Sequence, residues 1–175
     1  GGPLAKRIAD EAGGRPAFIV DPVVVDELIE EVRLSGIPEI ERRSVFHALN
    51  QKAVARRASS ELGKPYDEAD LIVAHMGGGI SVGAHRGGRV IDVNNALDGE
   101  GPFAPERAGS LPAGELVRFV FSTGIKLEDL MKKMVGGGGL VAHLSTNDLR
   151  EVEKRMAGGD GKARLVFEAM AYQVA

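Results

Sequence analysis

Apolar residues recur at different spacings along this chain, and each spacing predicts a different element. From Ala17 to Val20 they are contiguous and stop at Asp21-Pro22, which reads as a short strand. Val25, Leu28, Ile29 and Val32 then fall at helical intervals until Gly36 and Pro38 halt the pattern. A longer helix is expected from Ser44 to Leu62, with Val45, Leu49, Val54 and Ala58 near helical spacing and Arg42, Arg43, Arg56 and Arg57 available to water. Gly63-Lys64-Pro65 closes that segment, and Leu4 and Ile8 suggest another helical stretch within residues 1–14. The unbroken run Leu71-Ile72-Val73-Ala74 reads as a strand buried on both faces. Ile80 to His85 and Arg89 to Val93, joined by Gly87-Gly88, read as consecutive hairpin strands. Beyond a loop at 94–112, helical spacing returns over 113–122, 126–135, 147–157 and 162–174, the last with Val166, Met170 and Val174 on one face.

Strands followed by helices place the chain in the α/β class, with a boundary expected near Lys64 to Asp70 between residues 1–66 and 67–175. In 175 residues, 43% are hydrophobic and 27% charged, the balance of a folded globular chain rather than a disordered one. Lys and Arg number 22 against 25 Asp and Glu, so the basic excess that nucleic-acid binding needs is missing. No apolar run approaches the roughly 20 residues required to cross a bilayer. Without cysteine there is neither a disulfide framework nor a thiolate metal site. The first ten residues lack the order of a secretory signal, so a cytoplasmic setting is expected.

Glycine alters this picture. Its 24 occurrences are about twice the usual ~7%, and they cluster at 77–79, 87–88, 136–139 and 158–161. In His75-Met76-Gly77-Gly78-Gly79-Ile80-Ser81, residues without Cβ let backbone N–H groups converge on an anion, while His75 and Ser81 add side-chain donors at the edges. A plain hairpin turn is the ordinary alternative. Gly136 to Gly139 reads as a helix stop and flexible turn. Gly137 to Ala142 formally fits a dinucleotide fingerprint but follows a helix instead of a strand. No Gly-x4-Gly-Lys-Ser/Thr occurs, which excludes standard P-loop chemistry. Asp21 before Pro22 is either a helix cap or a carboxylate at a strand end, suited to magnesium. None of the four histidines has zinc-site spacing, and an isolated one is ordinarily structural.

The glycine hairpin resembles the second phosphate loop of the acetate kinase family. Asp92 to Phe103 with Pro105-Glu106-Arg107 resembles its butyrate kinase branch, and Asp148-Leu149-Arg150 with Glu151-Val152-Glu153 resembles a nucleotide-binding segment of that family. The resemblance runs from residue 1 to 175. It implies a ribonuclease H-like, actin-like duplicated α/β fold, with 1–66 ending the first lobe and 67–175 beginning the second. It also implies reversible phosphoryl transfer between ATP and a short-chain carboxylate such as butyrate or isobutyrate, with magnesium present and a homo-oligomeric assembly. Position by position, Asp21 matches the active-site aspartate and a possible metal ligand, His47 a donor to the migrating phosphoryl group, and Arg107 the arginine beside carboxylate and phosphoryl. His75, Gly77, Gly78, Gly79 and Ser81 would hold phosphate, and Asp148 and Arg150 would lie near the ribose. Two departures stand out: Gln51 replaces the second histidine usual in acetate kinases, and Pro22-Val23-Val24 follows the aspartate.

The chemistry suits these residue types. A carboxylate acceptor with a pKa of about 4 is already ionised and needs no general base. Charge instead spreads over three equatorial phosphoryl oxygens, which a planar guanidinium can bridge to the carboxylate. The family's first phosphate loop and its adenosine loop do not occur here, so the chain is expected to be a central section with little kinase activity alone. A related acid or sugar kinase and a non-catalytic nucleotide-binding or oligomerisation module are the competing expectations.

Overall fold

In the computed structural model, which describes residues 1–175, the elements in chain order are α1 (Gly2–Glu11), α2 (Glu30–Arg33), α3 (Ala48–Glu61), a short 3-10 turn (Tyr66–Glu68), β1 (Leu71–Met76), β2 (Ile80–Arg86), β3 (Arg89–Val93), α4 (Ala113–Thr123), α5 (Leu127–Met134), α6 (Gly139–Leu144), α7 (Leu149–Ala157) and α8 (Gly161–Val174). No helix is long and apolar enough to cross a membrane. The strands form one antiparallel sheet in the order β1-β2-β3. Gly87 and Gly88 turn between β2 and β3 with φ of 59° and 74°, the paired positive values that match a hairpin to the twist of its strands.

Register divides the sheet into two faces. His75 lies opposite Ser81, Val73 opposite Gly83 and Leu71 opposite His85, and these six share the face covered by α3. There Val90 and Val93 pack with Leu28, Phe46 and Ala48 in one core. On the other face Ile80 joins Ala104, Leu140, Leu144, Val152, Ala163, Val166 and Met170 in a second core built mainly by α6, α7 and α8. The hairpin at Gly77–Gly79 therefore projects from the end of the sheet that lies between the two cores.

Helical cover on the second face reaches β2, where Ile80 is buried, but not β1, so Ile72 stays 73% and Met76 69% exposed. β1 is thus a half-buried edge strand and not the doubly buried one its sequence suggests. Ala17 to Val20 does not form the expected strand. No neighbouring segment supplies it with ladder hydrogen bonds, and Phe18 is 81% exposed. The helix expected through Val25 to Val32 shrinks to one turn, α2. Asp26 accepts the Leu28 N–H (3.2 Å) and pairs with Arg33 (2.7 Å), which commits this stretch to a local non-helical arrangement. α3 begins at Ala48 instead of Ser44 for a comparable reason. Phe46 N–H donates to the Val23 carbonyl (3.1 Å), Ala96 N–H to the Val45 carbonyl (2.9 Å), and the Ser44 hydroxyl to the Val25 carbonyl (2.6 Å).

The four later helices match their expected spans to within two residues, and Asp148 and Asp160 cap α7 and α8 by accepting the Arg150 and Ala163 N–H groups (2.9 Å each). α6 is additional. Gly136 to Gly139 is no flexible turn, because Gly138 and Gly139 lie tight against the backbone of Ala104, Arg107 and Ala108. Gly139 has a φ of 59°, and a Cβ there would overlap the Ala104 carbonyl. Gly139→Ala is accordingly expected to destabilise the full-length protein by about 2 kcal/mol or more, combining overpacking with a left-handed backbone. A urea unfolding midpoint unchanged by this substitution would show that the loop yields freely.

Candidate active site

Each glycine of the hairpin is approached by a different polar side chain. A Cβ at Gly77 would lie 3.1 Å from His75 Nε2, and one at Gly78 3.2 Å from Glu106 Oε2. At Gly79 it would lie 3.5 Å from His47 Cε1 and 3.7 Å from Arg107 Cγ. His47 and Arg107, 60 positions apart in sequence, therefore meet at one glycine. The Gly77 N–H closes the turn on the Gly79 carbonyl at 3.0 Å, whereas the N–H groups of Gly78 and Gly79 make no hydrogen bond within the chain. Two free peptide donors beside a cation form a cradle for an oxyanion.

His47 sits at the N-terminus of α3, and its ring stacks on His75 with centroids 3.8 Å apart and planes 12° from parallel. His75 Nδ1 lies 2.8 Å from Asn50 Oδ1, and His47 Nδ1 lies 2.9 Å from Ser81 Oγ. Burial, reinforced by the neighbouring His75 and Arg107, holds the His47 pKa below its ordinary 6.5, so the ring is neutral at pH 7.

Arg107 arrives on a loop fixed by its backbone. Glu106 N–H donates to Gly78 O (3.1 Å), Gly136 N–H to Glu106 O (2.7 Å) and Ala104 N–H to Arg107 O (3.0 Å). The guanidinium forms no ion pair, and its Nε is buried without a hydrogen-bond partner. An orphaned buried donor is costly, and no group of the chain offsets that cost here.

Beside the hairpin opens a cleft of about 820 Å³, lined by Gly77, Gly78, Glu106, Asp148 and Arg150 among others. Asp148 and Arg150 pair at 2.7 Å on its exposed rim. Hydrogen bonds from the Arg150 side chain and then its backbone N–H hold Asp148 down at about 2. Asn147 Nδ2 donates to Glu106 Oε1 at 2.6 Å and ties this rim to the hairpin.

Two expected site residues lie differently. The Ser81 side chain turns inward, fully buried, and its hydroxyl is engaged by His47 and Gln51 instead of facing a phosphate. Asp21 is not joined to the hairpin, His47 or Arg107 by any hydrogen bond or ion pair. It adopts a φ of 42°, and its carboxylate faces Lys52 (3.6 Å) and Arg56 (3.2 Å) on α3. A carboxylate neutralised by two cations is a poor metal ligand, and no group of three His, Cys, Asp or Glu side chains is placed to hold an ion.

Sequence reasoning noted Gln51 only as the replacement of a histidine and gave no role to His85 or Tyr66. Gln51 is four residues after His47 and so projects from the same side of α3. It donates to both Ser81 O (2.9 Å) and Ser81 Oγ (2.7 Å), and its Oε1 is 3.1 Å from His85 Nε2. His85, 2% exposed, has its Nδ1 2.8 Å from the Tyr66 hydroxyl. For His85 the available signal was its place four residues after Ser81, on the same face of an otherwise apolar strand.

Residues 36–175 match the Acetokinase family, and the chain belongs to it. It is 57% identical over all 175 of its residues to butyrate kinase 1 of Clostridium acetobutylicum, of which it spans 49% of the length. Among solved structures, it superposes on Porphyromonas gingivalis acetate kinase with a TM-score of 0.74 and 25% identity, over 84% of this chain and 39% of that one. A propionate kinase from Francisella tularensis subsp. tularensis SCHU S4 gives a TM-score of 0.74 and 25% identity over 85% of this chain and 40% of its own. The α/β class and the actin-like architecture expected from the sequence are those of these kinases.

Burial keeps His85 neutral down to about 4, helped by the nearby Lys52 charge. Unfolded histidine protonates near 6.5, so between those values the unfolded chain binds more protons and stability falls as pH drops, by roughly 3 kcal/mol from this residue. His47 pulls in the same direction from its own lowered value. Asp148 adds a loss only further down, between 3.8 and about 2. Urea midpoints measured from pH 7 to 4 are expected to fall steeply in the wild type and less steeply in His85→Gln; parallel slopes would contradict the assignment.

Proposed function

We propose that the protein carrying this chain is an ATP-dependent carboxylate kinase of the butyrate kinase type. It transfers the γ-phosphoryl group of ATP reversibly to a short-chain fatty acid. The observation that carries this reading is the meeting of Arg107 and His47 over Gly79, in the same hairpin whose Gly77 and Gly78 line the cleft rimmed by Asp148 and Arg150. High identity to a butyrate kinase supports butyrate or a similar acid as acceptor.

In the reaction, a carboxylate oxygen attacks the γ-phosphorus. A new P–O bond forms while the bond to the bridging oxygen of ADP breaks, and ADP leaves with that electron pair. No proton need be removed from the acceptor. The catalytic demand is therefore on charge: the equatorial oxygens must find donors already in place. Arg107 offers a guanidinium with an unused buried Nε–H, His47 a neutral ring beside it, and Gly78 and Gly79 two free N–H groups. In this reading the ribose of a nucleotide in the cleft would lie near Asp148 and Arg150, which line its rim.

Magnesium belongs to this reading as a companion of the nucleotide phosphates. The residues of this chain do not assemble a cage for it, and no step is assigned to it. Association into a homo-oligomer is part of the same proposal.

The test is acyl hydroxamate formation by the full-length protein with MgATP and a series of acids from acetate to isobutyrate. Turnover with butyrate-sized acids is expected. Arg107→Ala should lower kcat about a hundredfold or more, the scale of removing one preorganised donor, while leaving the unfolding midpoint near wild type. An absence of acyl phosphate with every acid would sink the reading, and near-normal turnover in Arg107→Ala would remove that residue from the chemistry.

A further inference from the structure

The buried polar residues between α3 and the sheet have a direction, set by a single group whose chemistry is unambiguous. Ser81 O is a backbone carbonyl and can only accept. The end of the Gln51 amide facing it at 2.9 Å must therefore be the NH2 group, and that group also donates to Ser81 Oγ at 2.7 Å. The opposite end of the amide, Oε1, can only accept, so His85 Nε2 at 3.1 Å must carry its proton. A neutral His85 then has a bare Nδ1, which accepts from the Tyr66 hydroxyl at 2.8 Å. Neutrality at this position agrees with its pKa of about 4, and Tyr66, raised to about 12 by burial and then by the Glu27 charge, keeps the proton it donates.

In the other direction, Ser81 Oγ has accepted from Gln51, and the backbone N–H of His47 approaches it at 3.5 Å. Its hydroxyl hydrogen needs an acceptor, because Ser81 is completely buried. The only acceptor within reach is His47 Nδ1 at 2.9 Å. His47 Nδ1 must then be bare, and its proton sits on Nε2, which makes no hydrogen bond within the chain. The groups around this ring are consistent with a neutral form: His75 stacked on one face, Arg107 beside it, and no carboxylate in contact.

We infer that this one-way chain, Tyr66 to His85 to Gln51 to Ser81 to His47, fixes His47 as the tautomer that presents Nε2–H to the anion cradle at Gly79. Gln51, Ser81, His85 and Tyr66 are positioning residues in this scheme, and the acceptor of the Nε2–H is the migrating phosphoryl group. In that last respect the inference rests on the carboxylate kinase reading. Gln51 is the reversing point. A glutamate there keeps the shape but can only accept; it would take the Ser81 hydroxyl hydrogen, leave Ser81 Oγ accepting from His47, and move the His47 proton to Nδ1.

The experiment is a long-range proton–nitrogen correlation spectrum of the full-length protein labelled with 15N-histidine. In the wild type, His47 and His85 are both expected to show a bare Nδ1 and a protonated Nε2. In Gln51→Glu, His47 should show a protonated Nδ1, and kcat should fall about a hundredfold while KM for ATP and acid stays within about threefold. His85→Gln, which still donates to Oε1, should preserve the wild-type His47 pattern. A wild-type His47 protonated at Nδ1 overturns the inference even if Gln51→Glu fails to fold, and so does a Gln51→Glu spectrum unchanged at His47. A protein that shows the expected nitrogens but phosphorylates no acid overturns the kinase reading instead and leaves the tautomer assignment standing.

Discussion

Burying polar side chains between a helix and a sheet is admissible only if each finds a partner without water, and this requirement organises the molecule. Ser81 and His85 point into a face otherwise filled by Val73, Val90 and Val93. Gln51 answers both residues, because an amide alone among small neutral side chains offers donors at one end and an acceptor at the other. The contact fixes α3 in register over β2, and Gly83 has no side chain because the Gln51 amide occupies that space. His47 lies one turn before Gln51 on the same side of α3 and is thereby held above the hairpin. The interaction that stabilises the helix on the sheet is also the one that aims the site.

Arg107 is positioned from the opposite side by a separate set of constraints. Its loop is pinned to the hairpin through Glu106 and to the α5–α6 junction through Gly136 to Gly139, of which Gly138 and Gly139 pack too closely on the loop backbone to admit side chains. Ile80, just after the hairpin, belongs to the core of α6, α7 and α8, whereas the next residue, Ser81, faces α3. Strand alternation thus couples two cores across a single residue step, and the hairpin is where their contributions meet.

Elements with self-contained signals were legible in the sequence. Gly87-Gly88 can form its tight turn locally, and α4, α5, α7 and α8 carry their own periodicity, to which the structure adds Asp148 and Asp160 as caps. What failed depended on partners distant in the chain. The exposure of β1, the unpaired Ala17–Val20 and the late start of α3 follow from which segments do or do not lie alongside them. The site divides the same way: the glycine triplet, His47 and Arg107 were recognisable from residue type and resemblance, and the structure brings them together. The inward turn of Ser81, the ion pairs of Asp21 and the recruitment of Gln51, His85 and Tyr66 join residues 30 or more positions apart for the most part, and no local pattern announces such pairings.

A neutral His47 beside Arg107 divides two tasks that one cationic pair would confuse. A second full charge there would be penalised by burial and then repelled by His75 and by the guanidinium, which is the origin of the lowered His47 pKa. Arg107 can supply charge at any physiological pH, since a guanidinium does not titrate there. What the site then needs from histidine is direction, a single N–H held at one angle, and a neutral ring supplies that only if its proton is confined to the outward nitrogen. An acceptor that arrives already ionised gives the imidazole no proton to remove, so donor geometry is the property that remains for the surrounding fold to control.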